Sequence, residues 1–224
     1  VTAGLTPLTA NTQYYVWVRS VCSATDTSAW STLATFTTLC GSVIAPATYN
    51  VESATATTNS TIGDCWSSTP SGTTTSYRWN VVGSGGSTPS SSTGPSGPHS
   101  GSKYFYTEAS NGSTGAEATL TSPLIDASAL TLPSLGFYYH MYGSTMGNLY
   151  IEVSNGTTWA TVDSIIGQQQ TSATDPWLQK SIVLTGYTGT IQVRFRAIRG
   201  SNFYGDMSID DISVVETPTC FSPT

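Results

Sequence analysis

Two adjacent carboxylates near the end of the chain are the residues whose types and spacing suggest chemistry. Asp210 and Asp211 lie in the apolar run GDMSIDDISVVE, residues 205–216, which is typical of a β-strand. Adjacent strand residues point to opposite faces of a sheet, so one of the two carboxylates faces the core. Strict alternation from Ile209 places Asp211 on the face of Met207. A bare buried charge is costly, so this carboxylate needs a catalytic partner, a cation or hydrogen bonds.

A catalytic role for such acids finds little support in the rest of the sequence. A serine hydrolase needs a Ser beside a His with an orienting acid, and no G-x-S-x-G motif is present. His140 lies in the apolar run FYYHMY, which favours a hydrogen-bonded core residue, and His99 lies in a Gly/Pro/Ser-rich loop, which favours solvation. A glycosidase needs two acids across a cleft, whereas several acids here fall in predicted strands near sheet edges. We therefore expect no enzymatic activity. The acids considered are Glu52, Glu108, Glu117, Asp126, Glu152, Asp206, Asp210 and Asp211.

The cysteines indicate the compartment. Cys22, Cys40, Cys65 and Cys220 form no C-x-x-C pair and have no histidine near them in sequence, which argues against a zinc site. Four cysteines in a Ser/Thr-rich chain with few lysines indicate an oxidising, extracellular setting. The chain begins without Met and without a signal peptide, so we interpret it as a mature protein or an excised segment.

The charge balance excludes two classes of partner. A net charge of −6 and a pI of about 4.6 argue against binding to nucleic acid or to an anionic membrane. No stretch approaches the roughly 20 apolar residues that a membrane helix needs, so we expect no membrane insertion. Arg194 and Arg196 share one face of a predicted strand, and we expect them to be solvated or salt-bridged.

The local patterns predict an all-β chain. Runs of high β propensity alternate with Gly, Ser, Asn and Pro clusters, and no amphipathic stretch has a period of 3.6 residues. SNGTTW, residues 154–159, is a strong hairpin signal, because Asn-Gly supplies positive φ at both central positions of the turn. About ten predicted strands over residues 41–216 fit an antiparallel jelly roll of two sheets.

The first 39 residues resemble the end of a fibronectin type III domain. LTANTQY, Leu8 to Tyr14, is similar to the tyrosine corner of that family, with Ala10 where Pro is usual. Strands over 13–21 and 33–38 would then correspond to the last two strands of such a domain. Two strands alone are marginally stable, so this part needs further strands or a neighbour that supplies them.

The other end resembles a linker followed by the opening of another repeat. ETPTCFSPT, residues 216–224, combines Pro, Thr and one Cys. We interpret the chain as a slice of a tandem array, and the alternative is a disordered Pro-rich tail. The predicted organisation is 1–39, the end of a fibronectin-like domain; 40–216, the main body; and 217–224, the linker and the start of the next repeat.

The main body resembles the MAM domain, an extracellular adhesion module. Six segments follow the order and spacing of the family's motifs, with Asn50 where the family has Asp and without the family's Asp-His pair. The resemblance implies a jelly roll of two antiparallel sheets and a role in adhesion or self-association. The segments are YNVES (49–53), DCWSS (64–68), GPHSGSKYFYTEAS (97–110), ATLTSPLID (118–126), LGFYYHMYGSTMGNLYIEVSNG (135–156) and GDMSIDDISV (205–214).

The first 39 residues, taken together with the MAM-like body, point to a narrower group of proteins. YYVWVRSVC, SAWS and FTTLC together are similar to the large fibronectin/MAM repeat proteins that Bacteroidota export by type IX secretion. Those proteins serve as surface adhesins and gliding filaments. The resemblance implies a secreted, cell-surface repeat whose partners are other repeats or copies of the same protein.

The positions of the cysteines in this fold suggest how they pair. A Cys40–Cys65 bond would staple the start of the MAM-like body and would be worth roughly 3 kcal/mol. Cys22 and Cys40 fall at opposite ends of the predicted fibronectin-like sheet, which is poor geometry for a bond. We predict that Cys22 pairs with a Cys equivalent to Cys220 in a neighbouring repeat or copy.

The acids of the body suggest a structural calcium ion. The first and last strands of a jelly roll commonly run side by side, which would bring Glu52 near Asp210 and Asp211. The resemblance implies a cation in this region, and calcium takes six to eight oxygen ligands. We predict that Glu52, Glu108 and Asp210 or Asp211 bind it. The alternative is that these acids cap backbone N–H groups or pair with Arg194 or Lys103.

Exposed aromatic side chains offer a second functional class, carbohydrate binding. Aromatic rings stack on sugars or anchor protein partners, and the alternative is packing under loops. A carbohydrate-binding module that accompanies a secreted hydrolase or protease is therefore the main rival function, with surface glycans as partners. The candidates near predicted turns are Trp159, Trp177, Tyr187, Phe203 and Tyr204.

Two kinds of glycosylation signal occur. Asn59, Asn111 and Asn155 lie in N-x-S/T sequons. Ser164 follows Asp163 in a D-S-aliphatic stretch that resembles the O-glycosylation motif of Bacteroidota surface proteins. The motif is short, and chance occurrence is its rival explanation.

Overall fold

The structure is a computed structural model, and it describes residues 4, 6–54, 61–63, 65–70, 76–83 and 86–218. The chain divides into two compact units, residues 1–41 and 42–224. Every regular element of the described residues is a β-strand. No helix in this part of the chain has the length and apolar character to cross a membrane.

The first unit contains one antiparallel strand pair, β1 (Gln13–Val16) and β2 (Ala34–Thr37). Tyr14 lies opposite Phe36, and their rings stack with centroids 5.6 Å apart. The backbone N–H of Thr9 donates to the Tyr14 hydroxyl at 2.7 Å, which is the contact that a tyrosine corner makes.

Strand β1 is shorter than the predicted strand over 13–21. Beyond Val16 the backbone N–H groups of Val18 and Ser20 donate to the hydroxyls of Ser31 and Ser28, both at 3.0 Å. In a regular ladder these N–H groups would donate to backbone carbonyls of the partner strand. Because serine hydroxyls accept them here, the regular pairing ends at Val16.

The second unit is a sandwich of two sheets, and the predicted jelly-roll fold is confirmed. The larger sheet has the order β13-β12-β15-β9-β6-β5, with β10 beside β15 and β3 parallel to β10. The smaller sheet has the order β14-β11-β16-β8-β7, with β4 beside β16. The strands are β3 (Val43–Ile44), β4 (Ala47–Tyr49), β5 (Thr61–Gly63), β6 (Trp66–Thr69), β7 (Trp79–Val81), β8 (Phe105–Thr107), β9 (Glu117–Thr121), β10 (Ile125–Asp126), β11 (Pro133–His140), β12 (Asn148–Ser154), β13 (Trp159–Ile166), β14 (Leu178–Val183), β15 (Thr190–Ile198) and β16 (Ser208–Glu216).

Alternation of apolar and polar residues decides which faces meet. On β15, Val193, Phe195 and Ala197 are buried in the core between the sheets, while Arg194 and Arg196 lie on the outer face. Each Å² of apolar area that these inner faces bury stabilises the fold by roughly 25 cal/mol. This hydrophobic contribution is the main one that holds the two sheets together.

Three local features place the site residues. The predicted hairpin at Asn155-Gly156 joins β12 to β13, and Gly156 has φ of +98°. The expected neighbourhood of first and last strands is found, because Tyr49 on β4 pairs with Ile212 on β16. The predicted strand over 47–54 ends at residue 49, since the chain turns at Val51, whose φ is +64°.

Candidate functional site

The candidate site is a corner of the smaller sheet where β16 passes under the loop of residues 97–103. Asp210 is fully buried there. Its Oδ2 accepts the backbone N–H groups of His99 at 3.1 Å and Ser100 at 3.3 Å, and its Oδ1 accepts the N–H of Asp211 at 2.8 Å. Burial, followed by the charge of Asp211, raises the pKa of Asp210 to about 7. The loop therefore fastens to the strand through a carboxyl group that titrates near neutral pH.

Asp211 lies beside this buried group and is partly exposed. Its Oδ1 accepts the Ser100 hydroxyl at 2.9 Å, and its Oδ2 lies 2.6 Å from Nδ1 of His99. The His99 ring stacks on Tyr138 with centroids 3.5 Å apart, so His99 is held in place and not merely solvated.

The prediction that Asp211 shares a face with Met207 and Ile209 is wrong. Asp210 pairs with Tyr138 on β11 while Ser213 pairs with Gly136, so β16 has one extra residue between these pairs. This is a β-bulge, and Asp211 adopts φ of +46° within it. Strict alternation fails because the bulge shifts the faces by one residue. Asp210 is the buried carboxyl, and it is covered by a loop.

Glu52 lies in the turn that follows β4 and contacts the end of the same loop. Its Oε1 accepts the N–H groups of Ser102 at 2.7 Å and Lys103 at 2.9 Å, and its Oε2 accepts the Ser102 hydroxyl at 2.7 Å. The N–H and hydroxyl of Ser102 are the main cause that holds the pKa of Glu52 below its ordinary value. The carboxylate therefore acts as a cap for backbone donors.

Glu108 lies in a different contact set. Its Oε1 accepts the Ser110 N–H at 2.9 Å and the Ser90 hydroxyl at 3.1 Å. Asp206, which the sequence did not single out as a ligand, is fully buried, and its Oδ1 accepts the Ala109 N–H at 2.8 Å. Its Oδ2 has no hydrogen-bond partner among the described residues. Burial, followed by the charge of Glu108, raises the pKa of Asp206 to about 8, so this carboxyl is protonated at neutral pH.

These contacts do not fit the calcium ion that the resemblance implies. The oxygens of Glu52, Asp210 and Asp211 already accept hydrogen bonds, and Glu108 has its own partners. In the described ranges, no three His, Cys, Asp or Glu side chains are grouped to hold a metal ion. The acids accept backbone N–H groups instead, which is the alternative to calcium binding that the sequence left open. Calcium binding itself stays a prediction, which a melting experiment below tests.

A second acidic group lies on the outer face of the larger sheet. Glu152 on β12 is 5% exposed and accepts Nε of Arg194 at 2.5 Å and Nε of Arg196 at 2.9 Å. The expected salt-bridged state of the two arginines is therefore confirmed. Burial raises the pKa of Glu152, but the hydrogen bonds from both arginines outweigh it and leave the pKa below its ordinary value.

The aromatic candidates lie in separate places. Trp159 opens β13 in the larger sheet under the guanidinium of Arg194, which is 4.3 Å from the ring centroid. Trp177 precedes β14 in the smaller sheet and donates from Nε1 to the Gly97 carbonyl at 3.2 Å. Tyr187 packs against the core. Phe203 is 40% exposed and contacts Tyr204, with ring centroids 4.1 Å apart.

His140 is a core residue, as its apolar surroundings predict. Among the described residues, neither ring nitrogen has a partner at full hydrogen-bond distance and angle, but the backbone of Asp175 lies close enough to the ring to raise its pKa. Burial lowers the pKa of His140 to about 4, so the ring is neutral at physiological pH. A buried neutral ring beside Trp177, at 5.7 Å between centroids, fits a packing role.

Cys40 and Cys65 are both disulfide-bonded, which is the state that the predicted pairing requires. Cys22 is exposed and has a free thiol. Cys220 lies outside the described residues, and so does Asn59 among the glycosylation candidates. The remaining three candidates are Asn111, which is half-buried, Asn155, which is exposed in the β12–β13 hairpin, and Ser164, which is half-buried in β13.

The fold and site define a jelly-roll β-sandwich whose carboxylates serve as hydrogen-bond acceptors. The model of the MAM domain (meprin/A5/mu) matches residues 62–221, and the chain belongs to this family. Neuropilin-1a of Danio rerio is 28% identical over 153 residues, which is 67% of this chain and 16% of the relative. The human MAM domain-containing glycosylphosphatidylinositol anchor protein 2 is 31% identical over 137 residues, which is 55% of this chain and 14% of the relative. The chain thus spans about a sixth or less of these relatives.

Among solved structures, the K1 cleaved adhesin domain of Lys-gingipain from Porphyromonas gingivalis W83 is similar in fold. The TM-score is 0.54 with 15% sequence identity, over 77% of this chain and 98% of that domain. A likeness at this identity supports the assignment of the fold.

Proposed function

We propose that the chain is a non-catalytic, extracellular repeat segment of a large surface adhesin or filament protein. Membership in the MAM family over residues 62–221 is the observation that carries the proposal, because the family is an extracellular adhesion module. The engaged carboxylates add support: the acids at the corner accept backbone N–H groups, and Glu152 accepts two arginines. Carboxylates used in this way hold the fold and are not available as a general acid and base.

The partners in this proposal are other repeats or copies of the same protein. The first unit supports this part, since Tyr15, Trp17 and Trp30 are each at least half exposed. Exposed aromatic side chains close together are typical of interaction sites. The fibronectin-like nature of this unit, export by type IX secretion and a role in gliding motility belong to the same proposal. They rest on the resemblance of the sequence.

Self-association of the full chain tests the proposal. Analytical ultracentrifugation of the wild-type chain should show association that increases with concentration. The Trp17→Ala/Trp30→Ala double variant should shift this association to higher concentration. Trp159→Ala is the matched control, because it removes an aromatic ring from the second unit and should associate like the wild type. A chain that stays monomeric at all accessible concentrations contradicts self-assembly.

The predicted Cys22 linkage is tested separately. Under oxidising conditions the wild-type chain should form covalent multimers on a non-reducing gel. The variant Cys22→Ser should abolish them, since Cys22 has an exposed free thiol. Peptide mass spectrometry identifies the partner, and a bond from Cys22 to Cys65 in place of Cys220 contradicts the linkage.

Carbohydrate binding is the second candidate, favoured by the exposed ring of Phe203, which contacts the half-buried ring of Tyr204. Exposed rings provide flat apolar faces that stack on sugars. A glycan array should then give hits that Phe203→Ala weakens and that Trp177→Ala, a substitution of a mostly packed ring, leaves in place. An array without hits, together with clear self-association, favours the adhesin or filament function.

A further inference from the structure

The ammonium group of Lys103 is hydrogen-bonded to the turn that follows β4. Its Nζ donates to the backbone carbonyl of Glu52 at 2.7 Å and to that of Ala54 at 2.8 Å. Both distances are those of strong, charge-assisted hydrogen bonds. Backbone carbonyls and a nearby carboxylate are also the oxygens that a calcium ion takes.

The two carbonyls belong to a turn that is strained. Val51 is fully buried and has φ of +64°, a region that β-branched residues rarely adopt. The N–H of Ala54 donates to the carbonyl of Val51 at 3.0 Å and closes the turn. A backbone held in such a region is energetically unfavourable, so the surrounding contacts must compensate for it.

The loop that carries Lys103 approaches this turn closely and from one side. Ser102 and Lys103 give Glu52 three donors, two N–H groups and one hydroxyl. Gly101 makes the approach possible, since a Cβ there would lie 2.4 Å from Oε1 of Glu52, and its φ is +62°. Residues 101–103 therefore satisfy both the carboxylate and the carbonyls of the turn.

We propose that Lys103 is a built-in cation that holds the turn of residues 51–54 against the loop of residues 101–103, in place of a calcium ion. The positive charge comes from the chain itself and is covalently tethered. The corner is then formed without a dissociable ligand, and chelators do not weaken it.

A calcium titration of the wild-type chain tests the proposal without any substitution. The melting temperature of the full chain is measured at about neutral pH, once in about 5 mM calcium chloride and once in about 5 mM EDTA. We expect the same melting temperature in both. A rise in calcium of more than about 2 °C for the wild type overturns the proposal and supports calcium binding by Glu52, Asp210 or Asp211.

The variant Lys103→Met tests the role of the charge, because Met keeps an unbranched apolar stem and lacks the ammonium group. Loss of two charge-assisted hydrogen bonds should lower the melting temperature by about 6 °C or more. Lys180→Met is the matched control, since Lys180 forms an ion pair with the half-exposed Asp163 at 2.9 Å and should change the melting temperature by less than about 2 °C. Equal, small effects of the two substitutions overturn the proposal. If Lys103→Met does not fold, Lys103→Arg decides, because Arg keeps the positive charge. Lys103→Arg should fold with a melting temperature below that of the wild type. Failure of Lys103→Arg to fold overturns the proposal, because a positive charge at this position would then not be what holds the turn.

Discussion

Two regions of the second unit each contain a buried carboxyl group, and different hydrogen-bond donors stabilise it in each. At the corner, Asp210 accepts backbone N–H groups of His99 and Ser100, which come from a loop more than a hundred residues away in sequence. On the outer face of the larger sheet, Glu152 accepts side-chain N–H groups of Arg194 and Arg196. The first arrangement fixes a loop to a strand. The second arrangement pairs neighbouring strands across a regular ladder.

The difference shows in the pKa values of the two groups. At the corner, neutral amide donors do not offset burial and the charge of Asp211, and the pKa of Asp210 rises to about 7. Two guanidinium groups do offset burial at Glu152, and its pKa stays below the ordinary value. The charges beside each buried carboxyl, anionic at Asp210 and cationic at Glu152, therefore shift the two pKa values in opposite directions.

The largest expected effect separates Asp210 from Asp211. Asp210→Ala leaves three partly buried N–H groups, those of His99, Ser100 and Asp211, without their acceptor and should lower the free energy of unfolding by about 3 kcal/mol. Asp211→Ala should cost about 1 kcal/mol, because its partners can turn to water at a partly exposed site. Urea denaturation of both variants measures the difference. Strict alternation of the strand, without the bulge, predicts the reverse order.

An intermediate effect is expected at the outer face. Glu152→Ala leaves two arginines without their shared carboxylate and should lower the free energy of unfolding by about 2 kcal/mol, since both arginines still reach solvent. Glu117→Ala is the control, because Glu117 is largely exposed and lies 3.5 Å from Arg196. It should cost less than about 0.5 kcal/mol. If the two variants unfold alike in urea, burial of the Glu152 pair contributes nothing.

The smallest expected effect is a pH dependence of the free energy of unfolding, which comes from the raised pKa of Asp206. Asp206 keeps its proton to about pH 8 in the folded chain and loses it near pH 4 when unfolded, so the folded state binds more protons between these values. Stability therefore falls as pH rises through the folded pKa. Between about pH 7 and pH 9 this group should account for a loss of about 1 kcal/mol.

Two variants test whether Asp206 causes this loss of stability. Asp206→Asn keeps an oxygen for the Ala109 N–H and removes the titration, so its stability should fall less than that of the wild type over the same range. Glu152→Gln should leave the slope as it is, because the pKa of Glu152 lies below this range. Denaturation curves at both pH values provide the comparison, and an unchanged slope in Asp206→Asn contradicts a protonated Asp206.

Parts of this picture follow from the sequence because they depend on local patterns. Asn155-Gly156 predicts a hairpin since its backbone preferences are intrinsic, and the hairpin joins β12 to β13 as expected. Arg194 and Arg196 alternate with buried residues along one strand, so their common face was predictable. Their shared partner Glu152 was a candidate acid, but its place beside them depends on the pairing of β12 with β15.

Other parts depend on contacts between distant segments. The bulge in β16 takes Asp211 off the face of Ile209, and the loop of residues 97–103 buries Asp210 on the opposite face. No residue type near them signals either feature. Asp206 was considered only as one of several acids, although burial, followed by the charge of Glu108, raises its pKa to about 8, which is higher than the pKa of about 7 at Asp210.

The sequence by itself determined the all-β class, the jelly-roll sandwich and the family, because strand periodicity, turn residues and motif order are properties of the chain in one dimension. Only the tertiary structure decided which donors each carboxylate meets. Lys103 is about fifty residues from Glu52 in sequence, and it reaches the turn because Gly101 allows the loop to pass close to it. The free energy of a buried charge depends on neighbours in space, and these are set by the fold as a whole.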